Sequence, residues 1–274
     1  MIELTARDGH TLAAYRADPE GPAKGAIVVL QEANGVNPHI QKLADGFAAK
    51  GYVAVAPALF DVVKTDVSLG YDATSLAEGQ DLVRQLARDR AFADIQASVD
   101  AVKDIGKVAV VGYSWGGYLA YVSGNHVNGL ACAIGYYGDG IVEDFREKRK
   151  IPTLLHFGEN DASISSADLI QFRAHRPDVS AYTYPGAGHG FNCDERDAYH
   201  QEAAQAALDR TMFWISQYVE GQAPIGLKNA GAYAAAKVEK KKRLFGLLCG
   251  RILVDSQFGQ AASEDFETQV VFVA

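Results

Sequence analysis

The sequence predicts an α/β fold, a mostly parallel, doubly wound sheet flanked by helices. Two observations carry this. Short, nearly continuous apolar runs recur at Ala26–Leu30, Tyr52–Ala56, Val108–Val111, Leu130–Ile134 and Thr153–Phe157, as in strands covered on both faces. Between them lie segments of helical spacing at His39–Lys50, Ser75–Lys103, Trp115–Gly124 and Ala162–Arg173. Such alternation folds through right-handed crossovers and places ligands at the carboxyl ends of the strands. The loops that leave strands are therefore where chemistry is expected.

Taken in order, residues 2–16 read as a hairpin, because Asp8-Gly9 separates two partly alternating segments. The five apolar runs and their helices follow. A strand entering "YTYPGAGHGF" and a last helix within Ala198–Val219 complete the pattern; Ala204, Leu208, Met212, Ile215 and Val219 recur at steps of four and three. The main domain is expected to occupy residues 1–221. Residues 222–274 change character, with an alanine-rich stretch, the cluster Lys240-Lys241-Lys242-Arg243, the apolar patch Leu244–Val254 and an acidic end. Gly246, Gly250 and Arg251 interrupt the patch, which is too short to span a bilayer. A surface helix is one reading of it; composition favours the other, a C-terminal extension outside the fold.

A chain of 274 residues, 48% hydrophobic, can bury a substantial core. Its 26 basic and 34 acidic residues give a formal net charge of -8, which disfavours nucleic acid as a partner but not a small anionic substrate. Cys132, Cys193 and Cys249 are odd in number and far apart, with no metal-ligand spacing, so a reducing, cytoplasmic setting is expected. Residues Met1–Asp8 carry no secretory pattern, and no run reaches the roughly 18 apolar residues of a spanning helix. No membrane partner is expected.

Gly112-Tyr113-Ser114-Trp115-Gly116 fits GxSxG, directly after an apolar run and before a helical segment. A nucleophilic serine on such a turn has a strained backbone, and small neighbours are needed because strand and helix pack closely there. The plain alternative is a glycine-rich connection. Serine is a weak nucleophile until a histidine, itself oriented by a carboxylate, takes its proton. Later strand exits offer both: "TLLHFGENDAS" holds Glu159 and Asp161, and "YTYPGAGHGF" holds His189. Asp161 is preferred by its place in the loop. His156 falls inside its strand and reads as structural. The order Ser114, Asp161, His189 is that of α/β-hydrolases.

An oxyanion hole needs two backbone N–H donors; Trp115, after the nucleophile, is one and Ala33, in "LQEANGVN", the other. Glu32 is unexpected beside them, because a carboxylate opposes a nascent oxyanion; its plain reading is a solvated loop acid. Tyr71, in "LGYDATS", reads equally well as a site hydroxyl or a packed aromatic.

Four stretches, "LQEANGVN", "VVGYSWGG", "HFGENDASI" and "YPGAGHGFNCDERDAYH", occur in an order that resembles the dienelactone hydrolase family over most of residues 1–220. The resemblance implies a hydrolase of small esters or lactones with no metal or organic cofactor, and Ser114, Asp161 and His189 in the triad positions. In that family the nucleophile is commonly cysteine, and the acid matching Glu32 contacts the resting thiol. Serine here removes the thiol chemistry, leaving Glu32 to bond the serine in a resting rotamer or to touch substrate. The arginine that the family's dienelactone enzymes carry four residues after the histidine is Cys193 here, with Arg196, Arg84 and Arg88 as nearby substitutes. A thioesterase, a peptidase or a catalytically silent binding module on the same scaffold are the alternatives, and the expected assembly is a monomer or weak homo-oligomer.

Overall fold

The computed structural model describes residues 1–220. The chain enters through the hairpin β1 (Ile2–Thr5) and β2 (Thr11–Ala17), turned by Gly9 at φ 88°, a left-handed conformation that glycine adopts without steric cost. Then come β3 (Ala26–Leu30), α1 (Pro38–Ala48), β4 (Val53–Pro57), α2 (Ala73–Gln85), α3 (Arg88–Val102) and β5 (Val108–Tyr113). The second half adds α4 (Trp115–His126), β6 (Leu130–Tyr136), β7 (Thr153–Gly158), α5 (Ser166–His175), β8 (Ser180–Tyr184) and α6 (Gln201–Tyr218). The sheet order is β1-β2-β4-β3-β5-β6-β7-β8, parallel from β4 onward, with β2 antiparallel to β4.

The apolar runs form strands because each is covered twice. In β3, Val28 and Leu30 join the core on one face and Ile27 and Val29 that on the other; Val108 and Val110 alternate with Ala109 and Val111 in the same way along β5. Leu82 of α2, Ile95 and Val99 of α3, Leu119 of α4 and Phe172 of α5 cover the first face. Ile40 and Phe47 of α1 and Ala207 and Ile215 of α6 cover the second. Full burial of each such aliphatic or aromatic side chain is worth about 1.5–3 kcal/mol, so the two layers together fix the strand register.

Two helix boundaries differ from the sequence reading. The expected helix Ser75–Lys103 is two helices, broken where Leu86 (φ -85°, ψ 117°) and Ala87 (φ -66°, ψ 134°) are extended. No glycine or proline marks the break; turning the chain there buries Leu86 in the core, and that packing overrides propensity. The helix expected from Ala162 starts instead at Ser166. Asp161 accepts the Ser163 N–H at 2.9 Å and Ser165 caps the Asp168 N–H at 3.1 Å, which holds residues 161–165 as a loop. The expected domain boundary at Gly221 and the extension 222–274, with its Leu244–Val254 patch and Cys249, lie outside the described residues.

The register brings the chemistry to one edge. Leu30 pairs with Gly112, Gly112 with Gly135 and Gly135 with Leu155, so β3, β5, β6 and β7 end at nearly the same level.

Candidate active site

Ser114 sits between β5 and α4 at φ 50°, ψ -120°, a conformation that costs a non-glycine residue on the order of 1–3 kcal/mol. Its surroundings hold it there. Its N–H donates to Tyr136 O at 2.9 Å, and its carbonyl accepts the Tyr118 N–H at 3.1 Å. The flanking glycines allow the close approach: a Cβ on Gly112 would stand 1.9 Å from Gly116 O, and one on Gly116 2.4 Å from Gln31 O. The amino end of α4 points its free N–H groups, and the positive end of its dipole, toward the serine.

Three strand exits meet at this turn. Ser114 Oγ lies 3.0 Å from His189 Nε2, and His189 Nδ1 lies 3.0 Å from Asp161 Oδ2. The Asp161 side chain is fully buried, and its other oxygen is occupied by Ser163 N–H. Because a carboxylate only accepts, the imidazole proton belongs on Nδ1, which leaves the Nε2 lone pair facing the serine hydroxyl. Burial alone pushes the His189 pKa down. The Asp161 hydrogen bond and charge, with the charge of Asp139, outweigh burial and leave the pKa raised above the ordinary 6.5. Glu159, the competing acid, points away and accepts the Gly186 N–H at 3.2 Å. Two backbone bonds, Glu159 N–H to Tyr184 O and Asn160 N–H to Ala187 O, tie the acid loop to the histidine loop.

His156 is indeed placed inside its strand and fully buried. Its Nδ1 meets Tyr184 Oη at 2.8 Å and its Nε2 meets Thr211 Oγ1 at 3.0 Å, while burial lowers its pKa to about 3.

Glu32 corrects the reading of a solvated acid: it is 1% exposed. Tyr71 donates its hydroxyl to Glu32 Oε2 at 2.9 Å, and Asn37 Nδ2 donates to the Tyr71 oxygen at 3.2 Å. Glu32 Oε1 has no partner among the described residues. The resting-rotamer reading is corrected too, since Ser114 Oγ is bonded to His189. Tyr71 is thus a hydroxyl donor to Glu32, with the Arg196 guanidinium over its ring, 5.4 Å from the ring centre. Cys193, in the place of the family's arginine, is a buried free thiol whose pKa is pushed up to about 11, chiefly by burial.

The open space in front of Ser114 is a cleft of about 370 Å³, floored by Ser114, Trp115 and His189 and walled by Glu32, Ala33 and α2. Trp115 and Ala33 both line it, and neither backbone N–H donates to another group among the described residues. Arg84 and Arg196 reach the cleft, whereas Arg88 turns away to Tyr118 Oη at 3.0 Å. The sequence reading missed Asp139, which also lines the cleft, 3.8 Å from His189 Nδ1. Its position in "GYYGDG", just beyond β6, is the signal that marks it as a strand-exit residue. Among the described residues, Asp139, Asp161 and His189 are the one acidic and imidazole cluster tight enough to consider for a metal ion, and two of its three groups already bond each other. No helix among the described residues is long and apolar enough to cross a membrane.

A mostly parallel eight-stranded sheet, helices on both faces and a strained serine at a strand-to-helix turn define an α/β-hydrolase. The model of the dienelactone hydrolase family matches residues 12–219. The Yersinia pestis protein named "Putative carboxymethylenebutenolidase" is 31% identical over 242 residues, covering 79% of this chain and 88% of that protein. Carboxymethylenebutenolidase 1 of Cupriavidus pinatubonensis is 27% identical over 222 residues, covering 77% of this chain and 94% of that one. Among solved structures, the "Putative Dienelactone Hydrolase from Klebsiella pneumoniae subsp. pneumoniae MGH 78578" superposes with a TM-score of 0.68 at 26% identity, covering 79% of this chain and 98% of that one. The chain belongs to the dienelactone hydrolase family and is a carboxylic ester hydrolase.

Proposed function

We propose that the chain cleaves small carboxylic esters or lactones through an acyl-enzyme on Ser114, with His189 as base and Asp161 as the acid that orients it. The observation that carries this reading is the unbroken chain of contacts from Ser114 Oγ to His189 Nε2 and from His189 Nδ1 to Asp161 Oδ2, each 3.0 Å. Ser114 Oγ attacks the carbonyl carbon while His189 Nε2 takes its proton, and Asp161 stabilises the imidazolium. The N–H groups of Trp115 and Ala33 receive the oxyanion; one such donor is worth about 10²–10³ in rate. His189 returns the proton to the leaving alcohol, then activates water to release the acid. For a lactone, alcohol and acid leave as one molecule.

Glu32 serves this reading as a fixed acid held by Tyr71 at the cleft wall, its second oxygen buried and without a partner among the described residues. Arg84 and Arg196 give the same cleft two cations, which supports substrates bearing a carboxylate even with Cys193 in the arginine's place.

Ser114→Ala tests the reading. The variant is expected to fold with an unchanged melting temperature and to lose about 10⁴-fold or more in p-nitrophenyl acetate turnover. An organophosphonate should label the wild type at Ser114 alone, which a catalytically silent binding module would not do. Full activity in the variant would overturn the assignment.

A further inference from the structure

Resting on the triad reading above, we propose that Asp139 is a second positioning acid for His189. It shares the imidazolium charge in the intact enzyme and takes over orientation of the ring when Asp161 is lost.

The geometry points to this. Asp139 Oδ1 stands 3.8 Å from His189 Nδ1, the same nitrogen that Asp161 Oδ2 meets at 3.0 Å. At 3.8 Å the contact is too long for a hydrogen bond but well within the range of direct charge interaction. The two acids arrive from different strand exits, Asp139 beyond β6 and Asp161 beyond β7, so the second does not depend on the first for its place. The backbone just ahead of Asp139 is fixed: Tyr137 has φ 36° and donates its N–H to His156 O at 2.7 Å. Beyond that anchor the Asp139 side chain is 52% exposed, with Ser163 beside it as a hydrogen-bonding neighbour. A swing of about 1 Å brings its oxygen to hydrogen-bond distance of Nδ1. Asp161 has no such latitude, being fully buried with one oxygen on Ser163 N–H.

Other groups facing the ring do not substitute for it. Ser114 lies on the Nε2 side, Tyr137 presents its ring at 5.2 Å, and Arg196 is a cation that opposes protonation. Glu143 lies near enough to act on Asp139 itself, and the Asp139 pKa is raised by the partial desolvation of this half-exposed group and by the charges of Asp161 and Glu143. Asp139 and Asp161 are therefore the acids that favour the charged imidazole.

A double-mutant cycle on the full chain tests this, using p-nitrophenyl acetate and the pH dependence of kcat/KM for wild type, Asp139→Asn, Asp161→Ala and the double variant. In the intact background Asp139→Asn is expected to lower kcat by about two- to five-fold and to move the acid limb to lower pH. In the Asp161→Ala background the same change is expected to remove about ten-fold or more of the remaining activity, because it then deletes the ring's only acid. Equal factors in the two backgrounds, or an acid limb that does not move, would overturn the proposal. Should Asp161→Ala not fold, the acid limb of the single Asp139→Asn variant decides alone. Failure of the triad reading looks different: Ser114→Ala would stay active and the organophosphonate would not label Ser114.

Discussion

Gly112→Ala probes how far catalysis depends on the close contact beneath the serine. The added Cβ would lie 1.9 Å from Gly116 O and 2.3 Å from Gly116 C, both backbone atoms, whereas real Cβ contacts essentially never fall under 3.0 Å. Relieving the first contact moves the start of α4 away from β5 by about 1.1 Å, a displacement large against the sub-ångström tolerances of packed interiors. Ser114 is the residue between those two points, and its 3.0 Å contact with His189 stretches accordingly. A misplacement of about 1 Å costs on the order of 10²-fold in rate, and overpacking costs about 1–3 kcal/mol of stability. In a domain of this size each kcal/mol lowers Tm by roughly 2–4 °C, so the melt should fall by roughly 2–12 °C. The assay is p-nitrophenyl acetate hydrolysis at 25 °C, corrected for active sites by organophosphonate titration, beside thermal unfolding followed by circular dichroism. An unchanged kcat with an unchanged Tm would refute the reasoning, because it would mean that the contact yields without moving the serine.

Two further outcomes follow from the histidines. On the proposed triad the neutral form of His189 is the active one, so kcat/KM falls as pH drops through its pKa; since that pKa is raised, the acid limb should lie above pH 6.5, and a limb at or below it would contradict the Asp161 and Asp139 contributions. His156→Leu should cost about 1–3 kcal/mol at pH 7.5 through the loss of its hydrogen bonds to Tyr184 Oη and Thr211 Oγ1, with kcat/KM nearly unchanged. The folded His156 pKa is depressed to about 3, so its contribution is complete above the unfolded value and is lost as pH falls. The Tm gap between wild type and variant should accordingly narrow below pH 6.5; a constant gap across the range would count against the buried neutral ring.

The sheet was legible because β3, β5, β6 and β7 are buried on both faces and so read as unbroken apolar runs, and the glycines around Ser114 were legible because close packing restricts residue type. The break at Leu86 was not, since its cause is the core it packs into and no local breaker announces it. The site divides in the same way. Strand-exit logic pointed to Asp161 and His189 because each follows its own strand. Which exits converge is a property of register, and Asp139 was overlooked although it obeys the same logic. Glu32 looked like a surface acid because its partner, Tyr71, lies 39 residues away. Nothing near Glu32 in the chain tells of that hydroxyl.

The backbone of Ser114 has one more consequence. At φ 50°, glycine would sit there with less steric opposition than serine, so replacing the proposed nucleophile with glycine should make the protein harder to melt while, on the triad reading, abolishing its chemistry. Selection for durability alone would drift away from this serine. On the triad reading, a serine kept where the backbone disfavours it is what a demand for reactivity would leave behind.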